Sequence, residues 1–126
     1  MLARTLAATG TERSRVLEVA QAEARGDVRA VLNAVPACAR QSACVAATTA
    51  FVNKLKRGGE VEILQYKPSV QAPLTTVTGT GRVAWRAGNS GPIVQCVRVR
   101  RDGPASGAKV ELLSISAPIG NEEACP

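Results

Sequence analysis

The stretch Lys54-Leu55-Lys56-Arg57-Gly58-Gly59-Glu60-Val61-Glu62-Ile63-Leu64-Gln65-Tyr66-Lys67 decides the fold. Upstream of it, apolar residues recur at helical spacing. Val45, Thr48, Val52 and Leu55, flanked by Cys44 and Phe51, form one stripe, with Ser42 as the expected N-cap. Lys54, Lys56 and Arg57 sit in the last turn, where cations suit the negative end of the helix dipole. Gly58 and Gly59 then end the helix, which is predicted over 42–57. Past Gly59 the rhythm changes from 3.6 to 2, and Glu60 to Lys67 reads as a strand.

Working back toward the N-terminus, Leu17, Ala20, Ala24, Val28 and Val31 keep the helical spacing. Gly26-Asp27 interrupts it, and Asp27 is placed to cap a second short helix, Val28 to Ala34, ended by Pro36. Thr11 is the expected cap of the first helix, with Glu12 facing its positive end. Cys38 to Cys44 reads as a short loop. Residues 1–10 are expected to form a flexible arm, and residues 11–126 a single domain, which the length of 126 residues suits.

Working forward, Leu74 to Arg86, Ile93 to Arg101 and Lys109 to Ala117 are three further strands. Pro68 and Pro73 bracket a looser stretch. Asn89-Ser90-Gly91-Pro92 and Asp102-Gly103-Pro104 supply turns. Consecutive strands joined by short turns favour an antiparallel meander. Its apolar face must be covered, and the helices are the available cover. The fold class is therefore α+β, with N-terminal helices packed on a curved four-stranded antiparallel meander.

With its turn centred near Asn89, the central hairpin places Val83, Trp85, Val97 and Val99 on the face toward the helices. Arg82, Arg86, Arg98 and Arg100 then share the opposite face. That outer face is either a solubilised surface, with Glu111 as local counter-charge, or an anion-binding surface. The chain has one Phe, one Tyr and one Trp, so aromatic stacking platforms are missing from that face and nucleic acid is disfavoured as a partner. The net charge of +6 still favours anionic partners in general. On the inner face Gln95, Ser114 and Ser116 are polar residues in apolar company. They either bond helix ends or line a small cavity with Tyr66 and Trp85.

Four cysteines, Cys38, Cys44, Cys96 and Cys125, include no C-x-x-C pair, and the chain has no His. The spacing does not suit a zinc site. Disulfides are expected in preference to four buried free thiols, and they imply an oxidising compartment. Cys38 and Cys44 are close enough to bond across the helix entry, and Cys96 would then pair with Cys125, although four cysteines allow three connectivities. Nothing approaches the length of a membrane span, and Met1 to Thr9 lack the apolar core of a signal peptide. The expectation is an exported protein tethered, if at all, by a segment outside this chain.

Several chemistries are excluded on residue grounds. Without His there is no Ser-His-Asp arrangement, and a nucleophilic Cys, which wants a His or another cation-rich setting to lower its pKa, is disfavoured. Glu60 and Glu62 share a strand face at its exposed start, and Glu122 and Glu123 lie in the tail; all four read as solvated charge. Gly79-Thr80-Gly81-Arg82-Val83-Ala84 matches the spacing of a dinucleotide motif but is followed by a strand instead of a helix. Its glycines read as relief for a curved or bulged strand. No cofactor, metal or catalytic residue is assigned.

Glu23-Ala24-Arg25-Gly26-Asp27-Val28-Arg29-Ala30-Val31-Leu32, together with a helix before a strand and the segment Gly81-Arg82-Val83-Ala84-Trp85-Arg86, resembles the nuclear transport factor 2-like superfamily. That superfamily includes polyketide cyclases and ketosteroid isomerases. The resemblance implies a cone-shaped roll whose sheet and helices enclose a pocket. It also implies a strand or hairpin between the second and third helices, a space that here holds only Pro36 to Gln41. Catalytic members of the family place His, Asp or Tyr in the pocket. Asp27 and Asp102 read here as cap and turn residues, so no catalytic residue carries over. The leading expectation is a non-catalytic exported binding or accessory module for an unidentified small molecule or protein. The alternatives are a small-pocket isomerase- or cyclase-like enzyme and a module that binds anionic surfaces through its arginines.

Overall fold

The computed structural model describes residues 2–68, 77–102 and 109–125. Leu74 to Thr76, Pro73 and the Gly103-Pro104 turn lie outside these residues. The N-terminal layer is helical: α1 (Leu2–Arg25), α2 (Val28–Ala34), α3 (Pro36–Ala39) and α4 (Ser42–Leu55). The sheet follows as β1 (Val61–Lys67), β2 (Val77–Ala87), β3 (Ile93–Asp102) and β4 (Lys109–Ile115). All neighbours are antiparallel and the order is β1-β2-β3-β4, the expected meander.

The first helix differs from the reading of the sequence at its start. It begins at Leu2, so residues 2–10 belong to α1, and Thr11 lies inside it without capping it. The Leu- and Ala-rich segment Leu2-Ala3-Arg4-Thr5-Leu6-Ala7-Ala8 has high helix propensity, which offsets the cost of one internal Gly10. At its other end α1 closes as the sequence predicts. Gly26 takes φ +70°, its N–H donates to the Glu23 carbonyl, and the Asp27 N–H donates to the Ala22 carbonyl. This is the paired bonding that a left-handed residue after the last turn makes possible. Asp27 Oδ1 then accepts the Ala30 N–H at 3.1 Å and starts α2.

Two local expectations are corrected. Pro36 ends α2 but also opens α3, a single helical turn, because its fixed φ suits a first helical position. Cys38 is therefore helical and buried. Gln41 is the N-cap of α4, without a side-chain bond, and Ser42 is the first helical residue.

The core lies between α1 and the inner face of the sheet. Glu12, Val16, Val19, Ala20 and Glu23 fall on one stripe of α1 and are all buried. They face Val83, Trp85, Val97, Val99 and Leu112, with Val52 and Leu55 of α4 closing the side. Helix α1 touches β1, β2 and β4, and α3 packs on β4.

The β2–β3 ladder pairs Trp85 with Ile93 and Val77 with Arg101, which centres the turn on Asn89. Odd-numbered residues from Gly79 to Ala87 and from Ile93 to Arg101 face the helices. Each edge strand carries a bulge. In β1 the register shifts between Ile63 and Gln65, and Leu64 is left exposed. In β4, Ser114 pairs with Arg98 but Leu112 pairs with Val99, so Leu113 is the extra residue. The bulge inverts the alternation beyond it. Ile115 points into the core, and Ser114 stands beside Arg98 on the outer face, which corrects its expected inward position.

Candidate functional site

The inner face holds two buried polar clusters, both anchored on α1. Glu12 and Glu23 are three helical turns apart and project from the same side. In the first cluster Glu23 is 0% exposed. Its Oε1 accepts from Gln95 Nε2 at 3.3 Å, and its Oε2 has no partner. Gln95 also donates to the Ser116 carbonyl at 2.9 Å and accepts the Trp85 indole N–H at 2.7 Å. Burial pushes the Glu23 carboxyl up to about 8, against a smaller downward pull from Gln95. A neutral acid between the sheet and α1 is the consequence at lower pH.

In the second cluster Glu12, 2% exposed, accepts the Tyr66 hydroxyl at 2.7 Å and pairs with Arg101 Nε. Burial, and then the Glu12 carboxylate, raise the Tyr66 phenol above its ordinary value. Arg101 is only 13% exposed at its side chain, and its Nη1 is buried without a partner. Tyr66 also fills the space over Gly81, where an added Cβ would sit 2.5 Å from the phenol oxygen. Gly81 therefore gives Tyr66 room inside an unbroken strand, and no phosphate-cradling loop forms there.

Of the pocket residues expected from sequence, Tyr66, Trp85 and Gln95 are thus consumed by bonds within the core. Ser116 behaves differently. Its Oγ accepts the Cys96 N–H at 2.9 Å and donates to the Ala117 carbonyl at 2.8 Å, and the residue borders a groove.

That groove, of about 520 Å³, runs between α4 and the chain leaving β4. Cys44, Phe51 and Leu55 form one wall, and Ile115 and Pro118 the other, with Lys54 at the rim. The helical spacing of Cys44, Thr48, Phe51 and Leu55 makes the wall continuous along α4. Thr48 contributes little polarity, because its hydroxyl already lies 3.5 Å from Cys38 Sγ.

On the outer face the arginines have different surroundings. Arg86 pairs with Glu62 at 3.3 Å on an exposed edge. Arg82 donates from Nε to the Glu123 carbonyl at 2.9 Å and from Nη2 to the Asn121 carbonyl. Arg100 stands opposite Glu111, and Arg98 opposite Ser114. The tail is laid across this face by the Ile119 N–H, which donates to the Val94 carbonyl, and by the Cys96–Cys125 disulfide. A second disulfide joins Cys38 to Cys44 and ties α3 to α4. Two disulfides fit an oxidising setting. Among the described residues no helix is long and apolar enough to cross a membrane, and no cluster of metal-ligating side chains is present.

Comparison with family models, characterised proteins and solved structures gave no match for this chain. Fold and site together define a small, disulfide-linked α+β domain.

The sequence reading missed Glu23, Arg101 and the groove, and gave Glu12 a different role. A signal existed for the carboxylates. Glu12 and Glu23 occupy the same helical stripe as Val16, Val19 and Ala20, so two acids were written into a core register.

Proposed function

We propose that the chain is a non-catalytic binding or accessory module of an oxidising, extracytoplasmic compartment, and that it engages its ligand through the α4–β4 groove. The carrying observation is the groove itself, which has the volume of a small-molecule site and walls that are almost entirely apolar. The two disulfides support the compartment. The non-catalytic reading is supported by Tyr66, Trp85 and Gln95, whose polar atoms bond within the core. Helices preceding an antiparallel meander support a relationship to the nuclear transport factor 2-like roll.

Titration of the labelled protein with n-octanol, a neutral apolar probe, tests this reading by NMR. Amide shifts are expected at Ala47, Phe51, Leu55 and Ile115, and are expected to vanish in Ala47→Trp, which fills the groove from an exposed position. Shifts scattered over the surface, or unchanged in the variant, would overturn it.

One observation favours a second reading, a small-pocket enzyme of the isomerase or cyclase kind. Glu23 carries a carboxyl titrating near 8 with one unpartnered oxygen, which suits a general acid or base. That reading requires a substrate to reach Glu23, whereas the groove meets its network only through Ser116.

A further inference from the structure

We propose that the groove takes an anionic amphiphile, with the apolar chain lying along α4 and the anionic head at the Lys54 end; this rests on the groove being the binding site. Three observations converge on that chemistry. First, the groove is long. Cys44 to Leu55 spans eleven helical steps, or about 16 Å, which suits a linear chain better than a compact ring system. Second, its walls offer few polar groups. The Thr48 and Ser116 hydroxyls are already engaged with Cys38 and with the backbone of Cys96 and Ala117. A ligand that fits must be apolar over most of its length.

Third, the charge at the two ends is unequal. At one end of the lining lies Cys44, tied by its disulfide to Cys38 and carrying no charge. At the other, Lys54 lies on the rim, followed by the exposed Lys56 and Arg57. The Arg57 N–H donates to the Ala24 carbonyl at 2.8 Å, which brings the exposed Arg25 at the end of α1 to the same end of the molecule. Lys56 passes so close over Gly26 that a Cβ built there would lie 3.2 Å from its Cδ. Asp27 and Glu60 are the acids of this end, and Asp27 approaches Arg25 at 4.0 Å. Four cations against two acids leave an excess of positive charge at the end of the molecule where Lys54 lines the groove. An acyl chain with a carboxylate head matches both parts at once.

Calorimetric titration of the disulfide-intact chain with dodecanoate, below its micellar concentration and at low ionic strength, tests the proposal. Dodecyltrimethylammonium is the oppositely charged control. Dodecanoate is expected to bind one per chain and about tenfold tighter than the cation. Lys54→Glu/Arg57→Glu is expected to remove that preference, and Ala47→Trp and Ala50→Trp to remove binding of both. Binding stopped by the tryptophans but equal for the two head groups would retain the groove and overturn the anionic ligand. Dodecanoate binding that survives both tryptophans would place the site elsewhere and overturn both readings. Association with anionic vesicles without binding of monomeric dodecanoate would replace the proposal with a membrane surface.

Discussion

The indole N–H of Trp85 is satisfied by Gln95 Oε1 at 2.7 Å, and neither side chain has any exposure to solvent. The two residues lie on neighbouring strands, with Trp85 paired to Ile93 and Gln95 paired to Val83. The bond is therefore diagonal across the β2–β3 ladder, and it fixes the largest side chain of the core. Gln95 turns its amide nitrogen the other way, toward Glu23 and the Ser116 carbonyl, so one residue couples sheet, helix and the end of β4.

Gln95→Leu keeps the volume but strands all three partners. The indole N–H and the Glu23 carboxyl lose their bonds in buried positions, and the part-buried Ser116 carbonyl loses one as well. A cost of about 3 kcal/mol in urea unfolding is expected, since orphaned buried polar groups forfeit their full desolvation penalty. A loss below about 1 kcal/mol would show that the network contributes little beyond packing.

Gly81 and Tyr66 are coupled by space. A Cβ on Gly81 would lie 2.5 Å from the phenol oxygen and 2.6 Å from Cε1. Gly81→Ala is expected to cost about 2 kcal/mol in the native background. In a Tyr66→Leu background, where the obstructing ring is gone, the same change is expected to cost at least about 1 kcal/mol less. Equal costs in both backgrounds would mean that the contact does not explain the glycine.

The two disulfides should contribute unequally. Cys96 and Cys125 are 29 residues apart and Cys38 and Cys44 only 6. Loop-closure entropy gives about 4 kcal/mol for the longer loop and about 2 kcal/mol for the shorter. Cys96→Ser/Cys125→Ser also weakens the anchorage of the tail whose carbonyls bind Arg82. It is expected to lower the melting temperature more than Cys38→Ser/Cys44→Ser does. The reverse order in calorimetry would refute this ranking.

Features set by neighbouring residues were readable from the chain. Asp27 capping α2, the turn centred on Asn89 and the break at Gly59 each depend on a few adjacent positions. Gly59 shows why the break is firm: it takes φ +105°, a conformation that a residue with a Cβ rarely adopts. Features requiring distant partners were not readable. Glu23 finds Gln95 across 72 positions, and Arg101 finds Glu12 across 89. The groove joins 44–55 to 115–118, segments with no shared local pattern. Ser114 was misplaced for a subtler reason. A single extra residue at Leu113 reverses the side on which every later residue emerges, and nothing in Leu112-Leu113-Ser114-Ile115 distinguishes a bulge from simple alternation.

Glu23 makes the stability of the fold depend on pH in a direction opposite to that of a surface carboxylate. Its carboxyl titrates near 8 in the folded chain, against about 4.5 when exposed. Between these values the folded state holds a proton that the unfolded state has released, so unfolding becomes easier as pH rises. Below the lower value both states are protonated and the group exerts no effect. Above the upper value the penalty is fully present and level. Within the window the slope contributed by this group approaches about 1.4 kcal/mol per pH unit. Glu23→Gln removes the titration while leaving an oxygen to accept from Gln95. The difference in unfolding free energy between variant and native chain, measured from pH 5 to 8, is expected to move steadily in favour of the variant. Subtraction cancels the surface groups common to both. A difference that stays constant across that range would mean that Glu23 is already ionised in the folded state, and that α1 carries a charge into the core.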